Sequence, residues 1–465
     1  MAIGNRLDRL RGRPPGHAHR KPCRLERVAV SSSPAHRPSY RDVFAVSEFR
    51  ALWLSYVLSA GGDRLALVAL TIGVYARSKS PLLAAVTFAA GFVPYLFGGL
   101  FLSGLADRLP RRTVMVACDV ARTLLVGLML APRMPLGVLI VLLYLVTTIQ
   151  PPFDAARSAI VRDMMGADRY PLAAAVIQST SRVVIVGGAA VGGLVVAIFG
   201  AGPALAGDAL TFVASGLLIA FGTRARPAAA PSGPGGPNPF QAIGVGFKLV
   251  FGDPALRTLM CLGWLAAFYE VPEGLAAPYA GRLGGGAVAA GLLMAASQLG
   301  AAVTTPVFTK KIGPLTRLQW MGPMAILTCG ILVAALGHLG LAASMALFAL
   351  SNTFAMYQIA ANTAFVERLP NESRAQAFGL ANAGLMVGQG IAFAIAGAAA
   401  EVVPPSTVIA LSGGLGALVA CGLALRWRRM SPAVGRHTAR HLGRESSLTR
   451  QAQVDVVRSR LGIGD

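Results

Sequence analysis

Long apolar runs, separated by short charged or proline-rich breaks, repeat along this chain from residue 50 to residue 426. Each run is near the ~20 residues that a helix needs to cross a bilayer. The breaks place twelve of them at 50–76, 82–105, 112–131, 135–157, 172–199, 203–222, 256–280, 287–308, 317–338, 341–364, 374–399 and 405–426. The run 82–105 holds no charge in 24 residues. The pattern predicts an all-α integral membrane protein with twelve transmembrane helices. Outside these runs the periodicity fades. Residues 1–40 are rich in Arg, Pro, His and Ser, so the tail 1–48 is expected to be disordered. Residues 223–239 carry five prolines and three glycines in 17 positions and read as a linker. Apolar residues at 240, 243, 247, 250 and 251 then predict a short helix lying in the membrane surface.

The two halves flanking the linker resemble each other. Leu256-Arg257 aligns with Phe49-Arg50, and 13 residues after each Arg stands a carboxylate, Glu270 in one half and Asp63 in the other. Further on, AARSAIVRD from Ala155 matches AANTAFVER from Ala360, an offset of 205 that also aligns Arg169 with Arg374 and Gly192 with Gly397. The chain therefore divides into a basic tail (1–48), a first six-helix half (49–222), a linker (223–255), a second six-helix half (256–427) and a second basic tail (428–465). Two pseudo-symmetric six-helix bundles are a transporter build, with the path where the halves meet.

Composition supports a membrane protein and removes other classes. Of the residues, 54% are hydrophobic and 13% charged, against about a quarter charged in soluble domains. The net charge of +22 would suit nucleic acid if it were clustered on a fold, but its placement follows the breaks instead. The segment through Arg50 holds 11 Lys/Arg and the segment from Arg426 holds nine. Loops after even-numbered runs hold 15, while those after odd-numbered runs hold four: Arg77, Lys79, Arg133 and Arg282. This asymmetry puts both termini in the cytoplasm of a bacterial-type inner membrane, with the tails drawn to anionic lipid rather than to nucleic acid. The five cysteines stand alone, and five of six histidines lie in the tails, so no disulfide framework, metal site or cofactor is expected. No compact apolar core with a cleavage site opens the chain, so the first run should stay in place as a span. No HExxH, nucleophile elbow, P-loop or clustered acidic metal motif stands on any break, which argues against an enzyme.

A carboxylate deep in hydrocarbon is costly unless it is protonated, paired or wetted by a cavity. Asp63 stands 13 residues past Arg50, roughly 20 Å at helical rise and so near mid-bilayer, and Glu270 holds the matching place. Glu273 is one turn beyond Glu270, with Pro272 between them loosening the helix. Groups so placed can load a proton on one side and release it on the other. Two roles fit Asp63: proton carrier, or ion-pair partner of Arg64, Arg122 or Arg182. Glu273 either shares the coupling role or faces water at the outer mouth. Arg182 and Asp208, at mid-run and near a run's start, are supporting candidates.

Between the second and third runs lies Gly104-Leu105-Ala106-Asp107-Arg108-Leu109-Pro110-Arg111-Arg112. This loop resembles the G-x-x-x-D-R-x-G-R-R motif of the major facilitator superfamily, with Asp107, Arg108, Arg111 and Arg112 matching, Gly104 three residues before the Asp, and Pro110 in place of the second glycine. GD in the first run, PPFDAARSA, and GDALTF from Gly207 are similar to the branch of drug:proton antiporters that contains the enterobactin exporter and the macrolide-efflux proteins. The resemblance covers roughly residues 45–428. It departs in the fifth run, where G-x-x-x-G-P-x-x-G-G meets Val184 and Ala189 but keeps Gly188, Gly192 and Gly193, which permit close helix approach. The second-half counterpart of the loop, KKIGPLTR from Lys310, has no Asp. The resemblance implies that Asp107 and Arg157 help close the cytoplasmic face; Arg157 could equally be an end-of-helix cation. It implies proton-coupled efflux of a small amphiphilic compound by alternating access, driven by the proton gradient, from a monomer. A facilitator or importer without protons uses the same fold, and a transport-dead sensor would need an effector domain that neither tail displays.

Overall fold

The computed structural model describes residues 39–102, 109–226, 239–337, 339–370 and 373–430, and every regular element among them is a helix. Strong local punctuation separates the helices. Helix α1 (Tyr40–Phe44) is a single turn, and α2 (Ser47–Ser78) ends at Lys79, whose φ of 57° turns the chain. Ser80 then caps α3 (Pro81–Ala89), with Pro81 placed where its missing N–H costs nothing. Helices α4 (Val93–Phe101), α5 (Arg111–Met129) and α6 (Leu136–Thr148) follow. Helix α7 (Gln150–Phe199) starts at the paired prolines and is broken at Gly166, where φ is 64°, a conformation that only glycine adopts cheaply. Gly200 (φ 84°) joins it directly to α8 (Ala201–Gly222).

The second half begins with α9 (Pro239–Gly252), a helix over the stretch where the spacing predicts one. The chain turns by 108° between that helix and Pro254–Gly274. Asp253 caps α10 (Pro254–Trp264) through the Ala255 N–H. The path continues in short pieces, α11 (Ala266–Tyr269), α12 (Val271–Gly274) and α13 (Ala276–Arg282), because Pro272 and Pro278 remove donors that a continuous helix needs. Helices α14 (Gly286–Lys311), α15 (Pro314–Gly330), α16 (Leu341–Thr353), α17 (Tyr357–Arg368), α18 (Arg374–Val402) and α19 (Pro405–Met430) complete the bundle.

Eight of the described helical segments are long and apolar enough to cross a membrane, or nine if the bent pair counts as one span. The expected twelve are not all reached on that measure, for local reasons. The fourth and fifth runs form one segment, Leu136–Phe199. Helix α5 carries Arg111, Arg112, Asp119 and Arg122, the seventh run is fragmented at its prolines, and a 3-10 turn at Phe354–Met356 interrupts the tenth. The disordered tail expected through residue 48 also needs correction. Ser39 and Asp42 form a capping box that starts α1, Val43 is fully buried, and Phe44 packs edge-on against Phe49 and Trp53. Residues 1–38 and 431–465 lie outside the described residues.

In the first half α2 lies against α7 and α8, and α8 against α5. A clasp closes this half: Arg226 donates to both carboxylate oxygens of Glu48 at 2.6 and 2.8 Å, and the Arg224 N–H adds a third bond at 2.8 Å. The second half pairs α14 with α16 and α15 with α17. The halves meet through two crossings, α7 with α14 and α3 with α18. Both lie toward the end of the bundle where α2 finishes, since they involve Gly193 with Gly291 and Gly397 with Leu82 and Ala85. There the Glu401 carboxylate accepts from the Ser80 hydroxyl and, at 3.1 Å, from the Leu82 N–H, tying α18 to the start of α3.

Backbone touches backbone at the first crossing. A Cβ on Gly193 would stand 2.7 Å from the Ala287 carbonyl and 2.8 Å from the Gly291 Cα. Gly193→Leu therefore forces these helices apart. Overpacking of this kind typically costs about 1–3 kcal/mol, so a lower melting temperature of the purified protein is expected. An unchanged melting temperature would mean the crossing is looser than drawn.

Candidate translocation site

A cavity of about 410 Å³ opens inside the first half, walled by α2, α4, α5, α6, α7 and α8. Its polar lining consists of Tyr56, Asp63, Arg64, Tyr95, Thr147, Gln150, Asp154, Arg157, Gln178, Ser181 and Asp208, set among aliphatic side chains such as Leu67, Leu70 and Met129. Asp63 sits well inside the bundle, yet 28% of its side chain is exposed because it faces this space. Behind it lies Arg122, which is fully buried. Its guanidinium stands 3.7 Å from the Asp63 carboxylate, donates to the Ser59 hydroxyl at 3.3 Å, and is held between the rings of Phe153 (5.0 Å) and Phe212 (5.3 Å).

Two more carboxylates share this cation's surroundings. Asp119, one turn before Arg122 on α5, accepts from the Ser215 hydroxyl at 2.7 Å. Asp208 on α8 accepts from Thr211 at 3.4 Å and lies so close to α2 that a Cβ on Gly62 would meet it at 2.3 Å. Asp119 Oδ1, Asp208 Oδ2 and Arg122 Nε and Nη2 are buried without a hydrogen-bond partner. Three carboxylates thus crowd one guanidinium in a low-dielectric wall.

A second cluster lines the cavity nearer the start of α2. Asp154 pairs with Arg157 at 2.9 Å, one turn along α7, and accepts from the Tyr95 hydroxyl at 3.2 Å and from Gln150 at 3.4 Å. The Arg157 guanidinium lies 4.1 Å over the Tyr56 ring and is only 11% exposed. Arg157 is therefore not a solvated end-of-helix cation. Its expected partner Asp107, with Gly104 and Arg108, lies outside the described residues. Of the remaining loop cations, Arg111 bonds Asp163 and Arg112 bonds the Ala220 carbonyl.

The third cluster joins the halves. Arg64, the residue after Asp63, pairs with Glu273 at 3.3 Å; Glu273 also accepts from Gln298 and is 2% exposed. It does not face water at a mouth. Glu270 accepts from Gln389 of α18 and lies within electrostatic reach of the exposed Arg182 across the interface. The glycines position these groups. Gly188 lies against Arg64, where a Cβ would meet its Cβ at 3.1 Å, Gly192 faces Val68, and Gly193 faces α14.

Sequence reasoning had placed Asp63, Glu270, Glu273, Arg182 and Asp208 in one category, whereas the structure sorts them into two networks. It names Arg122 only as one of three possible partners of Asp63, the one the structure supplies, and passes over Asp119 and Asp154. The available signal was their charge within apolar runs: Asp119 and Arg122 stand one turn apart, and Asp154 follows the paired prolines. Gln298 and Gln389 carried no such signal, because an uncharged amide in a span has many innocent uses.

The Major Facilitator Superfamily profile matches residues 52–382. Among solved structures the chain is similar to a peptide transporter POT in complex with sulfate, with a TM-score of 0.67 and 12% identity over 86% of this chain and 97% of that one. It is similar also to a bacterial homologue of the iron transporter ferroportin in an inward-facing state (TM-score 0.59, 15% identity, 82% of this chain and 98% of that one). The nucleoside transporter NupG is a third such structure (TM-score 0.59, 15% identity, 83% and 99%). At these identities the likeness is one of fold. No curated protein matches the chain by sequence.

Proposed function

Because the chain belongs to the Major Facilitator Superfamily, we propose that it is a secondary active transporter that exports a small amphiphilic compound in exchange for protons. The observation that carries this reading is the enclosure of Asp63, Asp119 and Asp208 around the single cation Arg122. Three charged carboxylates facing one guanidinium leave two negative charges unbalanced, which is expensive inside a membrane, so protons must neutralise the excess. Asp63 and Asp208 both line the cavity, but Asp208 is buried whereas the Asp63 side chain is 28% exposed to that space, so Asp63 carries the exchangeable proton.

The distribution of Lys and Arg puts the termini in the cytoplasm and the meeting of the two halves at the outer face of an inner membrane. In this state the outer end is closed, and the Arg64–Glu273 pair holds it across the interface. A proton on Glu273 weakens that pair and favours opening; its release restores the closed end. Substrate then alternates between the two faces as the six-helix halves rock. The mixture of Tyr56, Tyr95 and aliphatic residues with carboxylates suits an amphiphile. The fold selects no cargo by itself, since the similar structures include a peptide transporter, a nucleoside transporter and an iron-transporter homologue.

The purified full chain in proteoliposomes should move members of a panel of amphiphilic compounds uphill when a pH gradient is imposed, and a protonophore should abolish the accumulation. The non-coupled reading, a facilitator of the same fold, predicts equal rates with and without the gradient. That result would overturn proton coupling.

A further inference from the structure

A second cleft lies on the outside of the first half, between α5 and α8, with a volume of about 230 Å³. Its rim is apolar and faces lipid: Val120, Leu124, Val213 and Leu217 are all more than two-fifths exposed. Its floor is Asp119, which is 1% exposed. One oxygen of this carboxylate accepts from Ser215, and the other has no partner. Arg122 acts on this acid through space but donates no hydrogen bond to it, since its bond goes to Ser59 and it pairs with Asp63 on the cavity side. An apolar cleft open to hydrocarbon with an unsatisfied carboxylate oxygen at its base is a mismatch that costs free energy while empty.

We propose that this cleft binds a membrane-dissolved amphiphile with a protonated amine head, its chain between α5 and α8 and its ammonium on Asp119. Charge complementarity selects the occupant. Lipid chains satisfy the rim but not the acid, water does not reach it from hydrocarbon, and an anionic head would meet the same charge. Depth fits as well. Asp119 lies eight residues into α5, about 12 Å from the helix start, within reach of a single-chain amphiphile inserted from the leaflet on the side of the termini. Occupation is sensed inside. Asp119 is one turn from Arg122 on the same helix, and Phe212, which lines the cleft, stacks on the Arg122 guanidinium 5.3 Å away. An ammonium on Asp119 removes one of the three acids from Arg122 and leaves that cation more strongly committed to Asp63. The cleft is thus a regulatory or loading site distinct from the cavity, and its existence does not depend on proton-coupled export.

The test is equilibrium binding of dodecylamine to the full chain in nanodiscs of zwitterionic lipid, with empty discs subtracted for partitioning and dodecanol as the uncharged control. Wild type should show one saturable dodecylamine site, with dodecanol weaker by about tenfold or more, as expected for losing a charge-assisted bond. Asp119→Asn should weaken dodecylamine by a similar factor. Gly216→Leu gives a second, shape-based arm that leaves the acid in place. A Cβ there stands 3.5 Å from the Asp119 Cβ, an ordinary contact, and the longer side chain fills the cleft. It too should abolish the saturable component. Equal binding of amine and alcohol, no saturable site above partitioning, or a site lost in Asp63→Asn but kept in Gly216→Leu would each overturn the proposal. The last outcome would move the amine to the cavity.

Discussion

Arg122→Leu should be the most destabilising single change in the first half. The guanidinium is wholly buried, clamped between two rings, and is the cation nearest to Asp63, Asp119 and Asp208. Removing one partner of a buried charge pair typically costs about 3–5 kcal/mol, because the remaining charge is stranded. Here the loss strands up to three acids and also removes two ring contacts. The leucine cannot fill the slot between Phe153 and Phe212 as the planar cation does. Expression and melting temperature of the purified protein should fall sharply, and every mode of transport with them. Adding Asp63→Asn to the leucine variant should recover part of the stability, since one stranded acid is then gone. The double variant is therefore expected to be less destabilised than the sum of the singles, the mark of a shared network. A leucine variant that melts like wild type would show that the acids do not need this cation.

Asp63→Asn alone should have the opposite profile, a large functional effect with little loss of stability. The amide mimics the protonated acid permanently, so pH-gradient-driven uphill export should disappear while downhill exchange of substrate continues. Stability should hold because the Asp63–Arg122 contact is long at 3.7 Å, Asp63 is partly exposed to the cavity, and Arg122 keeps Ser59, two rings and two neighbouring acids. A destabilised protein that lacks both uphill transport and exchange would retire the proton role of Asp63. Glu270, whose carboxylate accepts from the Gln389 amide in this state, would then be the remaining carrier.

Much of the architecture was legible because a membrane enforces it locally. Hydrocarbon excludes charge, so apolar runs, the breaks between them and each intramembrane acid stand out in the sequence without any knowledge of packing. The duplication was readable for the same reason, from Asp63 and Glu270 at equal distances from Arg50 and Arg257. The number of clean spans was less legible. Prolines at 272 and 278 and the charges on α5 break or dilute helices that the apolar pattern set out as single spans, while the fourth and fifth runs join across their break into one segment kinked at Gly166.

What the sequence determined by itself was the class of the molecule, its two halves and which charged residues stand inside it. Only the tertiary structure decided whom those residues answer to. Asp63 and Arg64 are neighbours, yet successive helix positions differ by about 100° in direction. One therefore meets Arg122 within its own half and the other meets Glu273, 209 residues away in the second half. Asp119 and Arg122 stand at the spacing of a helical ion pair, but their hydrogen bonds go to Ser215 and Ser59 on other helices. The glycines at 188, 192 and 193 announced close approach without saying to what; the fold aims two at α2 and one at α14. A span's composition is constrained by the lipid around it, residue by residue. Partner choice depends on how helices far apart in the chain are rotated and crossed, and no local pattern contains that information.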